Sequence, residues 1–138
     1  MKSFVYHFQI NVADKNISFP FYKELLGYLD YEVMFEDEKV LGLGNGNTDL
    51  WLVQTDKKFV GNKFHRKNTG VNHISFGLES KENVDKFVNE FLKPKGVKFL
   101  YETPKEFPEY GKGYYAVYFE DPDRIKLEVT YKPEFKDK

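Results

Sequence analysis

The sequence predicts an α+β fold of two paired βαβββ modules whose strands form a curled mixed sheet around a shared cleft. Three observations carry that prediction. Shifted by 66 residues, the first half of the chain lies over the second, with His7 on His73, Lys15 on Lys81, Phe21 on Phe87 and Glu24 on Glu90. The apolar positions between them keep the same register: Phe8 with Ile74, Ile10 with Phe76, Val12 with Leu78, Leu25 with Phe91, Leu26 with Leu92 and Val33 with Phe99. A shared register of that length marks two copies of one supersecondary unit. Within each copy the pattern runs from alternation to a helical stripe, then to three short strand-like segments.

The first strand is "VYHFQINV", residues 5–12. The helix after it is "NISFPFYKELLG", with Pro20 expected in the opening turn, Gly27 as the stop, and Phe21, Leu25 and Leu26 as the apolar stripe. Three strand-like segments follow, "LDYEVMF", "KVLGLG" and "TDLWLVQ", the last two joined by the turn "NGN". Residues 55–70 are polar, carry two glycines and read as a linker between module one (1–54) and module two (71–138). Module two opens on "VNHISFGL", residues 71–78. Ser80 is placed to cap "KENVDKFVNEFL", whose Val84, Phe87, Val88 and Phe91 share one face, and Pro94 and Gly96 end it. The closing segments are "VKFLYE", "GYYAVYFE" and "RIKLEVTY", the last two joined by "DPD".

Side chains alternate across a strand, so parity assigns faces. Phe8, Ile10 and Val12 should lie under the first helix, leaving His7, Gln9 and Asn11 opposite. Ile74, Phe76 and Leu78 should lie under the second, leaving His73, Ser75 and Gly77 opposite. On the last strand Ile125, Leu127, Val129 and Tyr131 turn to the helix, while Lys126, Glu128 and Thr130 turn away. The helix-distal face is therefore polar and holds His7, His73 and Glu128. Two histidines and a carboxylate form a three-ligand set for a divalent metal with coordination positions left open. Pseudo-twofold pairing of the modules would bring the two first strands side by side, and His7 near His73. Gln9 and Ser75, two residues beyond the histidines, could orient a ligand or hold the metal ligands in place.

Composition bounds the rest. At 138 residues the chain has about the length of one domain, 41% of it hydrophobic and 18% aromatic. A net charge of −1 gives no basic footprint for nucleic acid. The absence of cysteine excludes disulfides, thiolate nucleophiles and thiolate zinc sites. His7, Gln9 and Asn11 interrupt the opening "MKSFVYHFQINV", so it holds no apolar core of signal-peptide length. No stretch approaches the roughly 20 apolar residues of a spanning helix. The expected setting is cytoplasmic, with no membrane or nucleic-acid partner. The linker stretch "FHRKN" and the tail "YKPEFKDK" read as solvated charge, and His65 is not expected to be a ligand.

"HFQINVADKNISFPFYKELLG", "TGVNHISFGL" and "GYYAVYFEDPDRIKLEV" together resemble the vicinal oxygen chelate superfamily: glyoxalase I, extradiol dioxygenases, fosfomycin-resistance enzymes and bleomycin-binding proteins. In metal-dependent members the first and last strands of each module supply the ligands, which here implies His7, Trp51, His73 and Glu128. Trp51 is no ligand type, so the pattern departs from the four-ligand glyoxalase I set. It resembles the His, His, Glu set of the fosfomycin enzymes and extradiol dioxygenases. The resemblance implies one divalent metal (Mn, Fe, Ni or Zn) and a small-molecule substrate or drug. It also implies a homodimer, with modules paired within a chain or swapped between two. Tyr118, ten residues before Glu128, matches a tyrosine that faces substrate in both groups. With Glu128 it forms the expected catalytic pair, while Gln9, Trp51, Ser75 and Tyr114 would bind substrate. Gln9 replaces the threonine of the fosfomycin enzymes, and Arg124 replaces the glycine common after "DPD", so that turn must tolerate strain or be built differently. The expected activity is Lewis-acid chemistry on a small oxygen-chelating substrate, of lyase, isomerase or thiol-transferase type. The alternatives are a metal-free binder of the bleomycin-resistance kind and an extradiol-type dioxygenase.

Overall fold

The computed structural model describes residues 1–134. The chain divides into two units, residues 1–63 and the remainder from Phe64 onward. The first unit contains β1 (His7–Val12), α1 (Lys15–Tyr28), β2 (Glu32–Glu36), β3 (Val40–Gly44) and β4 (Asp49–Gln54). The second contains β5 (His73–Leu78), α2 (Lys81–Phe87), β6 (Phe99–Glu106), β7 (Tyr115–Glu120) and β8 (Lys126–Tyr131). Both are βαβββ modules built alike. The sheets run β1-β4-β3-β2 and β5-β8-β7-β6. In each, the first strand lies parallel to the last and the other neighbours are antiparallel. The parallel pair needs a long crossover, and the helix with two strands supplies it.

The 66-residue repeat appears in the elements themselves: β1 and β5 begin on the two matched histidines, and α1 and α2 on the two matched lysines. In the first unit Tyr22, Leu25 and Leu26 of α1 are fully buried, as are Val12, Leu41 and Leu52 of the sheet. In the second unit Phe87, Leu92, Phe119, Leu127 and Val129 are all fully buried. Phe87 stacks on Phe91, with ring centroids 5.4 Å apart, and tilts against Phe119 at 5.7 Å.

Several local expectations are corrected. Pro20 lies well inside α1, because Asp14 caps the helix earlier by accepting from the Asn16 amide at 2.9 Å. Gly27 is not the stop: Asp30 takes the left-handed position (φ 63) and the Tyr31 amide donates to the Leu26 carbonyl. Aspartate is among the few residues that tolerate this conformation. The buried stripe of α1 contains Ser18, Phe19 and Tyr22 beside Leu25 and Leu26, while Phe21 is half-buried. The second helix is capped by Ser80, whose hydroxyl accepts from the Asn83 amide at 3.0 Å. It continues through a π-helical turn, Val88–Leu92, before Gly96 at φ 66. Strand β8 is buried at all six positions, including Lys126, Glu128 and Thr130 on its polar face.

The "FHRKN" stretch is not merely solvated. Arg66 Nη1 donates to Glu120 Oε1 at 2.7 Å, and both side chains are mostly buried. Of the tail "YKPEFKDK", Lys132 pairs with Glu134 at 2.7 Å, and residues 135–138 lie outside the described residues.

The "DPD" turn resolves the question raised by Arg124. Asp121 Oδ1 accepts from the amides of Asp123 (2.8 Å) and Ile125 (2.7 Å), which fixes the turn and places Arg124 at φ 66. A side chain there is strained, and the Arg124 contact to Glu120, at 3.7 Å on a largely exposed side chain, offsets little. Arg124→Gly should therefore raise the unfolding free energy by about 0.5–1 kcal/mol, read as a later urea midpoint at unchanged slope. An earlier midpoint would mean that the Arg124 side chain contributes more than the strain costs.

Candidate functional site

The second unit brings several of the expected residues together. Parallel pairing of β5 and β8 sets His73 opposite Lys126 and Ser75 opposite Glu128. Glu128 is 1% exposed and holds two partners. The Tyr114 hydroxyl donates to Oε1 at 2.6 Å, and His73 Nε2 lies 3.1 Å from Oε2.

Asn72 fixes the state of that imidazole. Its Nδ2 donates to the Arg66 carbonyl at 3.2 Å, which turns Oδ1 toward His73 Nδ1 at 2.8 Å. An amide oxygen only accepts, so Nδ1 carries the proton. Nε2 is then the nitrogen turned to Glu128 Oε2, and in the neutral ring with the proton on Nδ1 its lone pair would face the carboxylate. That arrangement is repulsive unless a cation sits between them, either a proton or a metal ion. One imidazole nitrogen and one carboxylate, with the far ring nitrogen held by an oxygen acceptor, form a donor set that fits a divalent metal. No group of three or more His, Asp or Glu side chains that could hold a metal ion is gathered among the described residues.

Beside this pair is a cleft of about 540 Å³, within the size range of small-molecule sites. His73, Glu128, Tyr114 and Tyr118 line it, as do Asn72, Lys126, Tyr101, Phe107 and Tyr110; Ser75 does not. Tyr118 meets His73 edge to face at 5.9 Å and makes similar contacts with Tyr101 and Phe107. Burial first, then the charge of Glu128, raises the Tyr118 phenol above its ordinary pKa. Burial and then the bond to Glu128 raise that of Tyr114. Both rings therefore stay neutral hydrogen-bond donors through the working pH range.

In the first unit, β1 and β4 repeat this register: His7 is opposite Asp49 and Gln9 opposite Trp51. Trp51 thus occupies in β4 the place that Glu128 occupies in β8. His7 and Gln9 are exposed, and so is Phe8, which parity placed under α1; of that set Ile10 is half-buried and only Val12 fully buried. The Trp51 ring lies over Gly42, where a Cβ would come within 2.6 Å of it, and it tilts against Phe35 at 6.2 Å. Gly42 is what lets the indole lie flat on the sheet. His65 Nδ1 accepts from the Lys67 amide at 3.2 Å, a local turn contact.

Sequence reasoning missed Asn72, Tyr101, Phe107, Tyr110 and Lys126 as cleft residues. Lys126 was visible by parity on the face of Glu128. Asn72, next to His73, carries no periodic signal. Tyr101 enters through an irregularity in β6, where Tyr101 and Glu102 both have positive φ (59 and 55). Such a bulge re-aims a side chain without a sequence mark.

Comparison with known proteins agrees with this architecture. The sequence pattern of the glyoxalase/bleomycin resistance protein/dioxygenase superfamily matches residues 5–129. The uncharacterized protein YqjT of Bacillus subtilis (strain 168) is 34% identical over 126 residues, covering 91% of this chain and 97% of that one. A solved structure from Bacillus halodurans, assigned to the glyoxalases by name alone, is 39% identical with a TM-score of 0.84, covering 93% and 95% of the two chains. The fosfomycin resistance protein FosX of Listeria monocytogenes shares the fold, with a TM-score of 0.69 at 23% identity over 99% of each chain. No helix among the described residues is long and apolar enough to cross a membrane. With two βαβββ modules in tandem and a family match over most of its length, the chain belongs to the glyoxalase/bleomycin resistance protein/dioxygenase superfamily, the vicinal oxygen chelate proteins.

Proposed function

We propose that the protein is a divalent-metal-dependent vicinal oxygen chelate enzyme acting on a small substrate through Lewis-acid chemistry, of lyase, isomerase or thiol-transferase type. The observation that carries the reading is the His73–Glu128 pair, with Asn72 Oδ1 against Nδ1 so that Nε2 is the nitrogen turned to the carboxylate. His73 and Glu128 would hold Mn, Fe, Ni or Zn, and His7 is the third ligand by its place in the repeat. When bound, the metal supplies Lewis acidity toward adjacent substrate oxygens. The chain's own residues do the rest. Tyr118, a neutral donor in the cleft, would hydrogen-bond a substrate oxygen. Tyr114 keeps one oxygen of Glu128 occupied and so directs the other. Gln9, Trp51 and Ser75 are proposed substrate contacts on the family pattern, and by the same likeness the protein is a cytoplasmic homodimer. Oxygen insertion of the extradiol type would need iron or manganese in the same ligands.

A second reading is favoured by the aromatic cleft wall of Tyr101, Phe107, Tyr110 and Tyr118: a metal-free protein that binds a small aromatic drug. Elemental analysis of untagged protein beside His73→Ala separates the two. The expected result is near-stoichiometric Mn, Fe, Ni or Zn in the parent and a loss of about tenfold or more in the variant. Its fold should persist, because the His73 side chain is a third exposed. Metal-free protein that takes up neither Mn, Zn nor Fe would sink the enzyme reading in favour of the binder.

A further inference from the structure

Lys126 is a charged side chain with no role in the chemistry above. It is 9% exposed, yet it sits on the polar face of β8 and lines the cleft. Its ammonium lies 5.4 Å from the Tyr101 ring centroid and 5.3 Å from that of Tyr118. Among the described residues it pairs with no carboxylate. Ring faces attract a cation but accept no full hydrogen bonds from its three N–H donors. A buried charge held this way is incompletely satisfied, and its open side is the cleft.

Position adds the second half of the argument. Lys126 and Glu128 are two residues apart on one face of β8, so their backbones are about 7 Å apart along the strand. His73 is the register partner of Lys126. The cleft therefore carries a fixed cation beside His73, with Glu128 about 7 Å further along the same strand and with Tyr101, Phe107 and Tyr118 also in its lining. A ligand matching that layout has an anionic group for Lys126 and a flat unsaturated body for the rings around it.

We propose that Lys126 is the anion-recognition residue of the cleft and that the protein's ligand is a small aromatic carboxylate. This rests on the cleft being a small-molecule site, but not on the metal being present. Lys126 supplies a charge-assisted hydrogen bond to the carboxylate, and the tyrosine rings pack on the ligand's face.

The test is calorimetric binding of benzoate and its neutral isostere benzamide, in excess chelator so that no metal can hold the carboxylate. The parent should bind benzoate roughly tenfold or more tightly than benzamide, equivalent to about 1.4 kcal/mol. Lys126→Met should lose that preference, and Lys126→Arg should keep most of it. Equal binding of the two probes by the parent, or no detectable binding of either, would overturn the proposal without any variant having to fold. Benzoate preference retained in a folded Lys126→Met would overturn it as well. Parent protein that takes up neither Mn, Zn nor Fe, with benzoate selectivity intact, would fail the enzyme reading alone.

Discussion

Glu128→Gln should weaken divalent-metal binding by about 100-fold or more, while metal-free protein unfolds within about 1 kcal/mol of the parent. The two effects separate because the carboxylate packs against Tyr114 and, on the proposed function, also holds the metal. As a packed group it accepts the Tyr114 hydroxyl at 2.6 Å and fills a position that is 1% exposed. A glutamine oxygen of the same shape can still do both. As a ligand it must be an anion, since a neutral amide oxygen neither balances the metal's charge nor binds it comparably. Chelator-competition titration reads the affinity, and urea unfolding in chelator reads the stability. An affinity within about threefold of the parent would remove Glu128 from the ligand set. A large loss of stability with metal binding intact would make it a structural residue instead.

Phe87→Ala should have the largest effect on stability, about 3–5 kcal/mol, by emptying the space between α2 and its sheet. Phe87 has no exposed surface, stacks on Phe91 and tilts against Phe119, so its removal leaves ring-sized contacts unmade on two sides. The repeat supplies a control, because Phe21 at the matching position of the first unit is only half-buried. Phe21→Ala should cost clearly less, since less area leaves water on folding and a smaller cavity opens. Urea midpoints of the two variants check the ordering. Equal losses would mean that the two helices bury their matched rings alike, contrary to the exposure of Phe21.

How much of this could be read from sequence divides along physical lines. The β-α-β-β-β order, the repeat and the faces of β1 and β5 follow from hydrophobic periodicity, which is local and survives any tertiary arrangement. The Ser80 cap was legible for the same reason: its hydroxyl bonds an amide three residues on. Where local signals competed, sequence reading chose wrongly. Pro20 and Gly27 look like helix punctuation, but Asp14 begins the helix a turn earlier and Asp30 ends it.

The candidate site divides in the same way. Periodicity placed His73 and Glu128 on one face of the second module, and the family resemblance put Trp51 at the place of Glu128, as the strand register has it. What the sequence by itself determined is therefore the fold, the matched histidines and the polar face that carries them. Only the tertiary structure decided the rest: that Asn72 sets the proton of His73, that Tyr114 bonds Glu128, and that Lys126 lies against two tyrosine rings. The Glu128 and Lys126 contacts join separate segments of the sheet, and Asn72, though next to His73 in the chain, is turned by the Arg66 carbonyl. Their geometry is set by packing across the sheet, which no period in the sequence records.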